Sequence, residues 1–399
     1  MRFSGNSGDG YKSSSRFSRA KRCNCYRCTN NNKGGTKMTA TIYIGAISRF
    51  TGRHFVTIGL AKNLQERGIK VGYFKPYSIN TIRKSGKLID EDASFFKQLL
   101  GLQEHIQAIC PLSVSESQIW QTRKLNISDR TRLILSSLNR INKGKDVILI
   151  GQVLGVCSGC CAGISERKFI KQSRANVIVV AKTDEPLETV DKLLCLQSCL
   201  EGRLVGVIFN KVPLQHINHM ANRLKTFLEK YGIHVYGFVP HDPMLGSVQV
   251  SDIIETLRGH VIIGTERLNQ YVERFMIGAM SVANALKYFR RYPNKAVITG
   301  GDRADIQLAA LETSTRCLIL TGNLEPCAPV IAKADEVGVP IIVVPFDTAT
   351  TIEKCEALID RQSLRSNAKL DRVTELFEKY VDINRLCKDC GIALKSRVK

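Results

Sequence analysis

Gly45-Ala46-Ile47-Ser48-Arg49-Phe50-Thr51-Gly52-Arg53-His54 is the segment on which the fold prediction rests. It follows a short apolar run typical of a β-strand, Thr41–Ile44, and precedes an amphipathic helical pattern over Phe55–Gln65. In a strand, a glycine-bounded loop and a helix of this order, backbone N–H groups and the helix N-terminus face an anion. The segment therefore predicts a phosphate-binding turn.

The chemistry of this turn is incomplete. A working loop needs a Lys for the phosphates and a Ser or Thr hydroxyl for magnesium, whereas Arg53 and His54 occupy those places. The glycines are also spaced more widely than in the common forms. Arg53 can still hold a phosphate with its fork of donors, but His54 is a poor ligand for magnesium, which prefers oxygen. We therefore expect a phosphate-binding fold rather than a working hydrolase or kinase.

Composition limits the remaining possibilities. The chain has 399 residues, 44% of them hydrophobic, which is enough for two domains. No run of about 18 apolar residues occurs, so we expect no membrane span. The formal net charge is +22, but residues 1–37 alone hold nine Lys or Arg against one acid, Asp9. The other basic residues are scattered, which favours a solvated basic surface over nucleic-acid binding.

Residues 1–37 are predicted to form a disordered basic tail, because they contain few apolar residues. The tail weakly resembles an organelle transit peptide, but we favour a translation start at Met38, directly before the first strand. Cys23, Cys25 and Cys28 lie close enough to share a metal, but no fourth partner lies nearby, so a zinc site is not favoured.

The chain contains fourteen cysteines, most of them in apolar stretches. We expect these to pack as small hydrophobic residues, and without a secretory signal we expect a reduced, cytosolic compartment. Examples are Cys195, Cys199, Cys317 and Cys355. Two further groups have no assigned role: Cys157, Cys160 and Cys161 in one loop, and Cys387 and Cys390 near the C-terminus. A four-thiolate site would need both groups, but nothing in the sequence brings them together.

Strand and helix patterns alternate over residues 38–245, which predicts a mostly parallel sheet covered by helices on both faces. The predicted strands are Lys70–Phe74, Val147–Ile150, Val177–Val180, Val205–Phe209 and Val235–Val239, and the predicted helices are Asp90–Leu100, Asp129–Ile141, Leu187–Leu200 and His219–Tyr231. Ligands of such sheets bind at the carboxyl ends of the strands. This places the 45–54 loop, Lys75-Pro76, the loop after Ile150 and Asn210-Lys211 around one crevice.

Several of these motifs also carry a family resemblance. They are the Gly45–Gly52 loop, Gly72–Pro76, Asp90–Ala93, Gly206–Pro213 and Gly237–Pro240. Residues 41–245 resemble the dethiobiotin-synthetase-like N-terminal domain of some phosphotransacetylases, a domain related to cobyrinic acid a,c-diamide synthases. The resemblance implies a P-loop NTPase-like domain.

The resemblance also implies roles for individual residues. In catalytic relatives the Lys matching Lys75 faces substrate, the Asp matching Asp92 helps to hold magnesium, and the Asn matching Asn210 meets adenine. The relatives also carry a Glu directly after the strand, where this chain has Gly151-Gln152. With this acid, the loop Lys and the loop hydroxyl all replaced, we expect little phosphoryl transfer.

The implied ligand is ATP or another adenine nucleotide with magnesium. The candidate nucleotide-binding residues are Gly45, Thr51, Gly52, Arg53, His54, Lys75 and Asn210, and the candidate metal ligand is Asp92. Structural roles remain open for the three retained residues. Lys75 can be a strand-end cation, Asp92 a helix-start acid favoured by the dipole, and Asn210 a turn former.

A smaller α/β pattern occupies residues 246–362. Its predicted elements are a helix over Ser251–Leu257, an apolar run at Val261–Gly264, helices over Arg267–Phe275 and Ala283–Arg290, and three strand-loop-helix units that begin at Ala296, Leu318 and Pro340. The stretch Asn294–Asp305, which contains Gly300-Gly301-Asp302-Arg303, resembles the DRTGG domain.

The DRTGG resemblance suggests a second ligand site where three loops converge. Its candidate residues for an anionic or regulatory ligand are Thr299, Gly300, Gly301, Asp302, Arg303, Thr321 and Gly322. The paired glycines expose backbone N–H groups and Arg303 adds a cation. Two alternatives remain open: the glycines serve turns while Asp302 and Asp305 cap the helix and pair with Arg303, or the domain forms a dimer interface.

The remaining residues, 363–399, predict an amphipathic helix over Ala368–Tyr380 that acts as a packing arm. Taken together, the sequence predicts a cytosolic α/β protein with a P-loop-like domain and a DRTGG domain, as a homodimer. We expect a nucleotide- or metabolite-responsive regulatory protein without acetyl transfer, since no such catalytic domain follows residue 385. The alternatives are an ATP-dependent amide-forming or cyclising synthetase and a dimerising scaffold.

Overall fold

A computed structural model of the chain describes residues 39–48, 51–79, 81–84, 87–114, 119, 127–214, 217–362 and 366–394. The predicted disordered tail with its three cysteines, the loop residues Arg49 and Phe50, and the end of the chain after residue 394 lie outside these ranges.

The first domain is built on a six-stranded parallel sheet in the order β2-β5-β1-β6-β7-β8. These strands are β1 (Ala40–Ala46), β2 (Val71–Phe74), β5 (Val147–Gly151), β6 (Asn176–Ala181), β7 (Leu204–Val212) and β8 (His234–Pro240), and a separate antiparallel hairpin joins β3 (Thr81–Lys84) to β4 (Lys87–Asp90). The inner strands are mostly apolar and buried because both sheet faces are covered. The predicted fold class is confirmed for this domain.

Helices connect these strands in the order that the sequence predicted. They are α1 (Arg53–Glu66), α2 (Glu91–Leu99), α3 (Ile106–Ile109), α4 (Ile127–Ile141), α5 (Glu166–Ser173), α6 (Pro186–Cys199), α7 (Ile217–Lys230) and α8 (Pro243–Gly246). Strand β1 lies between β5 and β6. After β1 the chain first adds β2 and β5 on one side of it and then adds β6, β7 and β8 on the other side. The carboxyl end of β1 is therefore the point where the direction of strand order changes, which is where sheets of this kind bind ligands.

The second domain is a smaller mixed α/β unit. Its five-stranded sheet has the order β10-β15-β14-β13-β12, in which only the β10–β15 pair is antiparallel. The strands are β10 (His260–Ile263), β12 (Arg274–Ile277), β13 (Lys295–Gly300), β14 (Thr315–Thr321) and β15 (Ile341–Val343), while β9 (Val248–Gln249) and β11 (Tyr271–Val272) form a separate pair. The helices are α9 (Val250–Leu257), α10 (Val282–Phe289), α11 (Ala304–Leu311), α12 (Ala328–Val337) and α13 (Thr348–Gln362).

The helix predicted over Arg267–Phe275 is wrong. A 3-10 turn ends at Arg267, and the rest of the stretch contributes to β11 and β12. Strand β12 pairs in parallel with β13, and Met276 faces Val297 across that pair. Pairing with a buried strand outweighs the local helical period, as tertiary context commonly does with local preference.

The end of the chain returns to the first domain. Helices α14 (Asn367–Tyr380) and α15 (Ile383–Asp389) add apolar side chains to its core. The ring of Phe377 packs against Gly59 of α1, where a β-carbon would lie 2.5 Å from the ring. The Asn63 side chain donates to the Thr374 carbonyl at 3.3 Å, and the Asp382 N–H donates to the Tyr236 carbonyl at 2.7 Å. The C-terminal segment is thus part of the fold of the first domain.

The cysteine predictions are borne out only in part. Cys317 and Cys355 are buried, as expected for small core residues, but Cys195 and Cys199 are exposed on α6. Cys387 and Cys390 are buried in the core of the first domain, whereas Cys160 and Cys161 are exposed. Within the described ranges, no three His, Cys, Asp or Glu side chains are grouped to hold a metal.

None of the helices among the described residues is both long and apolar enough to cross a membrane.

Candidate functional site

The loop after β1 is held by side chains from neighbouring strands. Gly52 adopts a left-handed conformation with φ of 82° and directly precedes α1. A β-carbon there would lie 2.2 Å from the side-chain nitrogen of Asn210. That nitrogen donates to the Thr51 carbonyl at 2.8 Å, and both residues are buried. Only glycine fits this position, because it accepts the positive φ and leaves room for the Asn210 amide.

Arg53 lies at the first position of α1 and reaches across to the loop after β5. Its Nη1 donates to the Gln152 carbonyl at 2.6 Å. The buried Gln152 side chain in turn accepts from the backbone N–H of Ala46, at the end of β1. The guanidinium is therefore anchored on one side by a neutral carbonyl. A guanidinium carries five N–H donors, and this bond uses one of them.

Lys75, at the end of β2, lies between two carboxylates. Its Nζ is 2.7 Å from Asp90 Oδ2 and 2.6 Å from Asp92 Oδ2. Asp92 also lies 3.2 Å from His54 Nε2 through its other oxygen. Asp90 is buried and caps α2 by accepting from the Ala93 N–H at 2.7 Å. These four side chains, His54, Lys75, Asp90 and Asp92, are named the ion-pair network.

The ion-pair network shifts the pKa of its members. Burial favours the protonated form of Asp92, but His54 and Lys75 together hold the pKa of Asp92 well below its usual range. Burial alone would lower the pKa of Lys75, but Asp92 and Asp90 outweigh it and raise that pKa. Lys75 is therefore charged and Asp92 ionised at neutral pH, and each neutralises the other.

The space beside Gly151, the position at which the catalytic relatives carry an acid, is occupied by another side chain in this protein. Gly151 ends β5, and a β-carbon on it would lie 2.3 Å from the hydroxyl oxygen of Tyr73. The buried Tyr73 ring stacks on Phe96 at 4.1 Å between centroids. Burial, followed by the charges of Asp92 and Asp90, raises the pKa of Tyr73. A neutral hydroxyl group thus occupies the space that a side chain at position 151 would need.

The residues at this site do not fit magnesium. The ion prefers six oxygen ligands in a regular octahedron, whereas the loop offers the imidazole of His54 in the place of a hydroxyl. Asp92, the predicted metal ligand, has both oxygens in contact with nitrogen atoms of His54 and Lys75. Gly151 supplies no carboxylate. The donor set therefore favours a bound anion without a magnesium ion.

Glu166, which the sequence analysis missed, is the other acid near the loop. It is fully buried and accepts from the hydroxyl groups of Tyr43 at 2.6 Å and Tyr77 at 3.0 Å. Burial raises the pKa of Glu166, while the two hydroxyl groups and Arg53 act in the opposite direction. In the sequence Glu166 follows Ser165 at a helix start, so the pattern indicates a helix-start acid and gives no sign of burial.

The structure brings the seven predicted residues of the DRTGG site to one end of the second sheet. Thr299 and Thr321 end neighbouring parallel strands, and the Thr321 hydroxyl lies 2.9 Å from that of Thr348. Gly322 has a φ of 83°. The buried Gln307 side chain donates to the carbonyls of Gly300 at 2.9 Å and Gly301 at 3.0 Å, which fixes the loop.

Arg303 makes a bidentate pair with Asp305, with 3.0 Å from Nε to one carboxylate oxygen and 3.0 Å from Nη2 to the other. The pairing of Arg303 with Asp305 agrees with the structural alternative, but the helix capping by Asp302 and Asp305 that it also predicted is wrong, because the N-cap of α11 is Arg303 and its side chain makes no cap bond. Both side chains of the pair are substantially exposed, and exposed pairs contribute little stability, about 0 to 1 kcal/mol. The pair can open to admit an anion at small cost.

These features define a P-loop-type α/β domain followed by a second α/β domain. Comparison with known families gives matches to the AAA domain over residues 40–249 and to the DRTGG domain over residues 252–358. The AAA domain match spans more than half of the chain, so the chain belongs to this AAA domain family, in its dethiobiotin-synthetase-like and phosphotransacetylase N-terminal-like form, with a DRTGG domain after it. The resemblance predicted from the sequence is confirmed for both domains.

Curated relatives include phosphate acetyltransferases. The chain is 22% identical over 382 residues to that of Nitrosomonas europaea and 25% identical over 388 residues to that of Pseudomonas aeruginosa. Each alignment covers 90% of this chain but 53% of the relative, so the chain spans about half the length of these proteins. The ATP-dependent dethiobiotin synthetase BioD of Nitrosopumilus maritimus is 23% identical over 208 residues, which is 50% of this chain and 88% of that protein.

Solved structures with partial similarity include two with nucleotides. One contains the CBS and DRTGG domains of the regulatory region of Clostridium perfringens pyrophosphatase with the activator diadenosine tetraphosphate, at 27% identity and a TM-score of 0.25 over 28% of this chain and 46% of that chain. The other is the septum site-determining protein MinD of Pyrococcus horikoshii with Mg-ADP, at 14% identity and a TM-score of 0.33 over 52% of this chain and 84% of that chain.

Proposed function

We propose that the chain is a regulatory protein of the phosphotransacetylase N-terminal and DRTGG type that binds an adenine nucleotide at the loop after β1 without turning it over. The acetyl transfer in the names of the curated relatives belongs to proteins about twice as long as the matched stretch, and it is not part of this proposal. We further propose that the protein acts in the cytoplasm and responds to nucleotide by a change in stability or partner binding.

One observation carries the proposal: the ion-pair network neutralises the groups that phosphoryl transfer would use. Lys75 is held by two carboxylates, and Asp92 is held by two nitrogen groups. Phosphoryl transfer depends on positioning and on charge neutralisation by Lys and metal. Removal of one such donor commonly costs about two to three powers of ten in rate. Binding depends less on these groups, because the helix N-terminus and Arg53 remain beside the loop.

A homodimer through the second domain is the proposed assembly. Met280 and Leu324 are exposed apolar side chains next to the 299–303 loop, where the Met280 carbonyl accepts from Arg303. Exposed apolar groups of this kind are common at protein interfaces. Sedimentation equilibrium of the full chain measures the state directly: a dimer that Leu324→Glu dissociates is expected, and a monomer at high protein concentration would contradict the assembly.

Thermal unfolding tests nucleotide binding. The full chain is melted with ATP, GTP or inorganic phosphate, each with and without magnesium, and phosphate release is followed in parallel. A ligand at about 100 times its dissociation constant adds about 2.7 kcal/mol of stability. We expect stabilisation by ATP that Arg53→Ala and Asn210→Ala reduce, each variant being compared with its own unliganded melting temperature.

Arg67→Ala serves as the matched control, because this arginine is the C-cap of α1, at the opposite end of that helix from the loop, and donates to the Asn384 side chain at 2.8 Å. It should leave the ATP-dependent shift unchanged. Absence of a shift with every nucleotide would refute the binding proposal, and magnesium-dependent phosphate release would refute the absence of turnover.

A further inference from the structure

Apart from the loop after β1, a pocket lies where the second domain meets the N-terminus of α14. Its volume is about 310 Å³, and its polar lining comes from Ser247, Gln249, Asp252, Tyr271, Ser366 and Lys369. The first four belong to the segments around β9, α9 and β11, and the last two to the start of α14. None of these residues is part of the nucleotide loop or of the DRTGG site described above.

Lys369 gives this pocket a buried positive charge. Lys369 as a whole residue is 3% exposed. Its Nζ donates to the Ser247 carbonyl and lies 5.3 Å from the centre of the Tyr271 ring. Burial lowers the pKa of Lys369 to about 8, with Asp252 acting in the opposite direction. An ammonium group has three donors, of which one is bonded to the Ser247 carbonyl, and the Asp252 carboxylate also acts on it. A buried cation is costly unless it is both paired and hydrogen-bonded, and an anionic ligand would supply further acceptors for this ammonium group.

Ser366 supplies an unused hydroxyl group beside this charge. It is the N-cap of α14, but its side chain does not accept from a helix N–H as N-cap serines commonly do. Its Oγ is buried and has no hydrogen-bond partner among the described residues. Buried polar groups are normally paired, so this hydroxyl points to a missing partner. The positive end of the α14 dipole lies at the same place.

We propose that this pocket binds a small, singly charged anion with a carboxylate or phosphate group, held by the Lys369 ammonium and the Ser366 hydroxyl. Asp252 limits the charge of the ligand, because its own carboxylate in the lining repels a polyphosphate more strongly than a single negative charge. The pocket is therefore selective against the nucleotide proposed for the loop after β1. This site is independent of that proposal and goes beyond it.

Calorimetric titration of the full chain with sodium acetate and with inorganic phosphate tests the site. The buffer contains neither carboxylate nor phosphate, and sodium chloride at matched ionic strength is the blank. We expect saturable binding of at least one of the two anions. Because a charge-assisted hydrogen bond contributes about 1.5 to 3 kcal/mol, Lys369→Met should weaken that binding by about tenfold or more. Ser366→Ala should weaken it by a smaller factor.

Lys295→Met is the matched control. Lys295 is also fully buried, also donates to a single carbonyl, that of Ser314 at 3.1 Å, and burial also lowers its pKa to about 8. It does not line the pocket, so its replacement should leave the affinity unchanged. Arg53→Ala should leave the binding that depends on Lys369 unchanged, which separates this site from the nucleotide loop.

Two results would overturn the proposal: no saturable binding of either anion to the wild-type chain, or equal affinity in wild type and Lys369→Met. If Lys369→Met does not fold, Ser366→Ala decides the question, since the Ser366 side chain makes no cap bond whose loss would unfold α14. Unchanged affinity in Ser366→Ala would then contradict the site, and weakened affinity would support it.

Discussion

The side chains around the loop after β1 contact one another. Lys75 contacts two carboxylates, Asp92 contacts the Lys75 ammonium and the His54 imidazole, and the Asn210 amide donates to the Thr51 carbonyl of the loop itself. In this arrangement the charged groups contribute to the stability of the fold, in addition to lining the proposed ligand site. The consequences for stability can be measured one residue at a time.

Lys75→Met should destabilise the protein strongly. The change leaves Asp90, which is 2% exposed, without its ammonium partner. Breaking a buried ion pair from one side costs about 3 to 5 kcal/mol, and urea denaturation at pH 7 measures the loss. Lys171→Met is the control, because the Lys171–Glu201 pair is more than half exposed on both sides and should contribute less than about 1 kcal/mol. Equal losses in the two variants would show that the network does not stabilise the fold.

The loss of unfolding free energy caused by Asp92→Asn should become smaller as the pH falls. Asp92 has a folded-state pKa well below its unfolded value, so its contribution to stability is complete above an unfolded pKa of about 3.9. That contribution is lost as the pH falls through the folded-state pKa. The difference in unfolding free energy between wild type and variant should therefore shrink between about pH 5 and pH 2. Glu166 titrates in the opposite sense in both proteins, so the difference isolates Asp92. A difference that stays constant with pH would contradict the assignment.

Gly151→Ala should destabilise the protein through contact with one hydroxyl group. The added methyl would meet the Tyr73 oxygen at 2.3 Å, and overpacking of this kind costs about 1 to 3 kcal/mol. In the Tyr73→Phe background the same change should cost less, because the oxygen is gone. A double-mutant cycle by urea denaturation gives the coupling. Additive effects would show that Tyr73 does not fill the place of the missing acid.

At this scale the sequence predicted which residues surround the loop, because loops at the carboxyl ends of parallel strands meet at one edge. It did not predict the pairings. Whether Asp92 binds a metal or Lys75 depends on how α2 packs beside β2, which the local sequence does not encode. The residues Gly151-Gln152 likewise gave no sign that the Tyr73 hydroxyl occupies the space that a side chain at position 151 would need. Glu166 was missed because its burial depends on Tyr43 and Tyr77, which are distant in sequence.

At the scale of elements, hydrophobic periodicity predicted all six strands of the first sheet and the longer helices of the first domain, but it missed the β3–β4 hairpin and the helices α3, α5 and α8. Long buried strands such as β5 and β6 carry the clearest pattern, since both of their faces are covered. The Arg267–Phe275 stretch failed because its strands are short and partly exposed. Its pairing with β13 is set by the rest of the sheet, which local sequence does not encode.

Gly59→Ala tests the contact between α1 and α14. Alanine is favoured over glycine in a helix by about 1 kcal/mol, but the new methyl would lie 2.5 to 2.7 Å from atoms of Phe377. Overpacking should outweigh propensity and give a net loss of about 1 to 2 kcal/mol. Gly246→Ala, also in a helix, has open space around its β-carbon position and should be neutral or slightly stabilising. A stabilised Gly59→Ala variant, measured by thermal unfolding, would contradict the packing.

At the scale of the whole molecule, the C-terminal helices pack back onto the first domain. Helices α14 and α15 follow the second domain in sequence but complete the core of the first. The sequence predicted an amphipathic packing arm, because its apolar stripe is visible in the helical period. It could not name the partner surface, since nothing local in residues 367–389 specifies α1 and β8. The proposed nucleotide loop lies at the start of α1, and the proposed anion pocket at the start of α14, the two helices that this closure packs together.

The loop after β1 is proposed to bind an adenine nucleotide without magnesium-dependent chemistry. Calorimetric titration of the full chain with ATP, first with EDTA and then with excess magnesium, tests this proposal most directly. We predict saturable binding with EDTA and no gain in affinity with excess magnesium, since the site offers the ion few oxygen ligands and magnesium lowers the negative charge of ATP in solution. Affinity that appears only with magnesium, or the absence of binding in both conditions, would contradict the account.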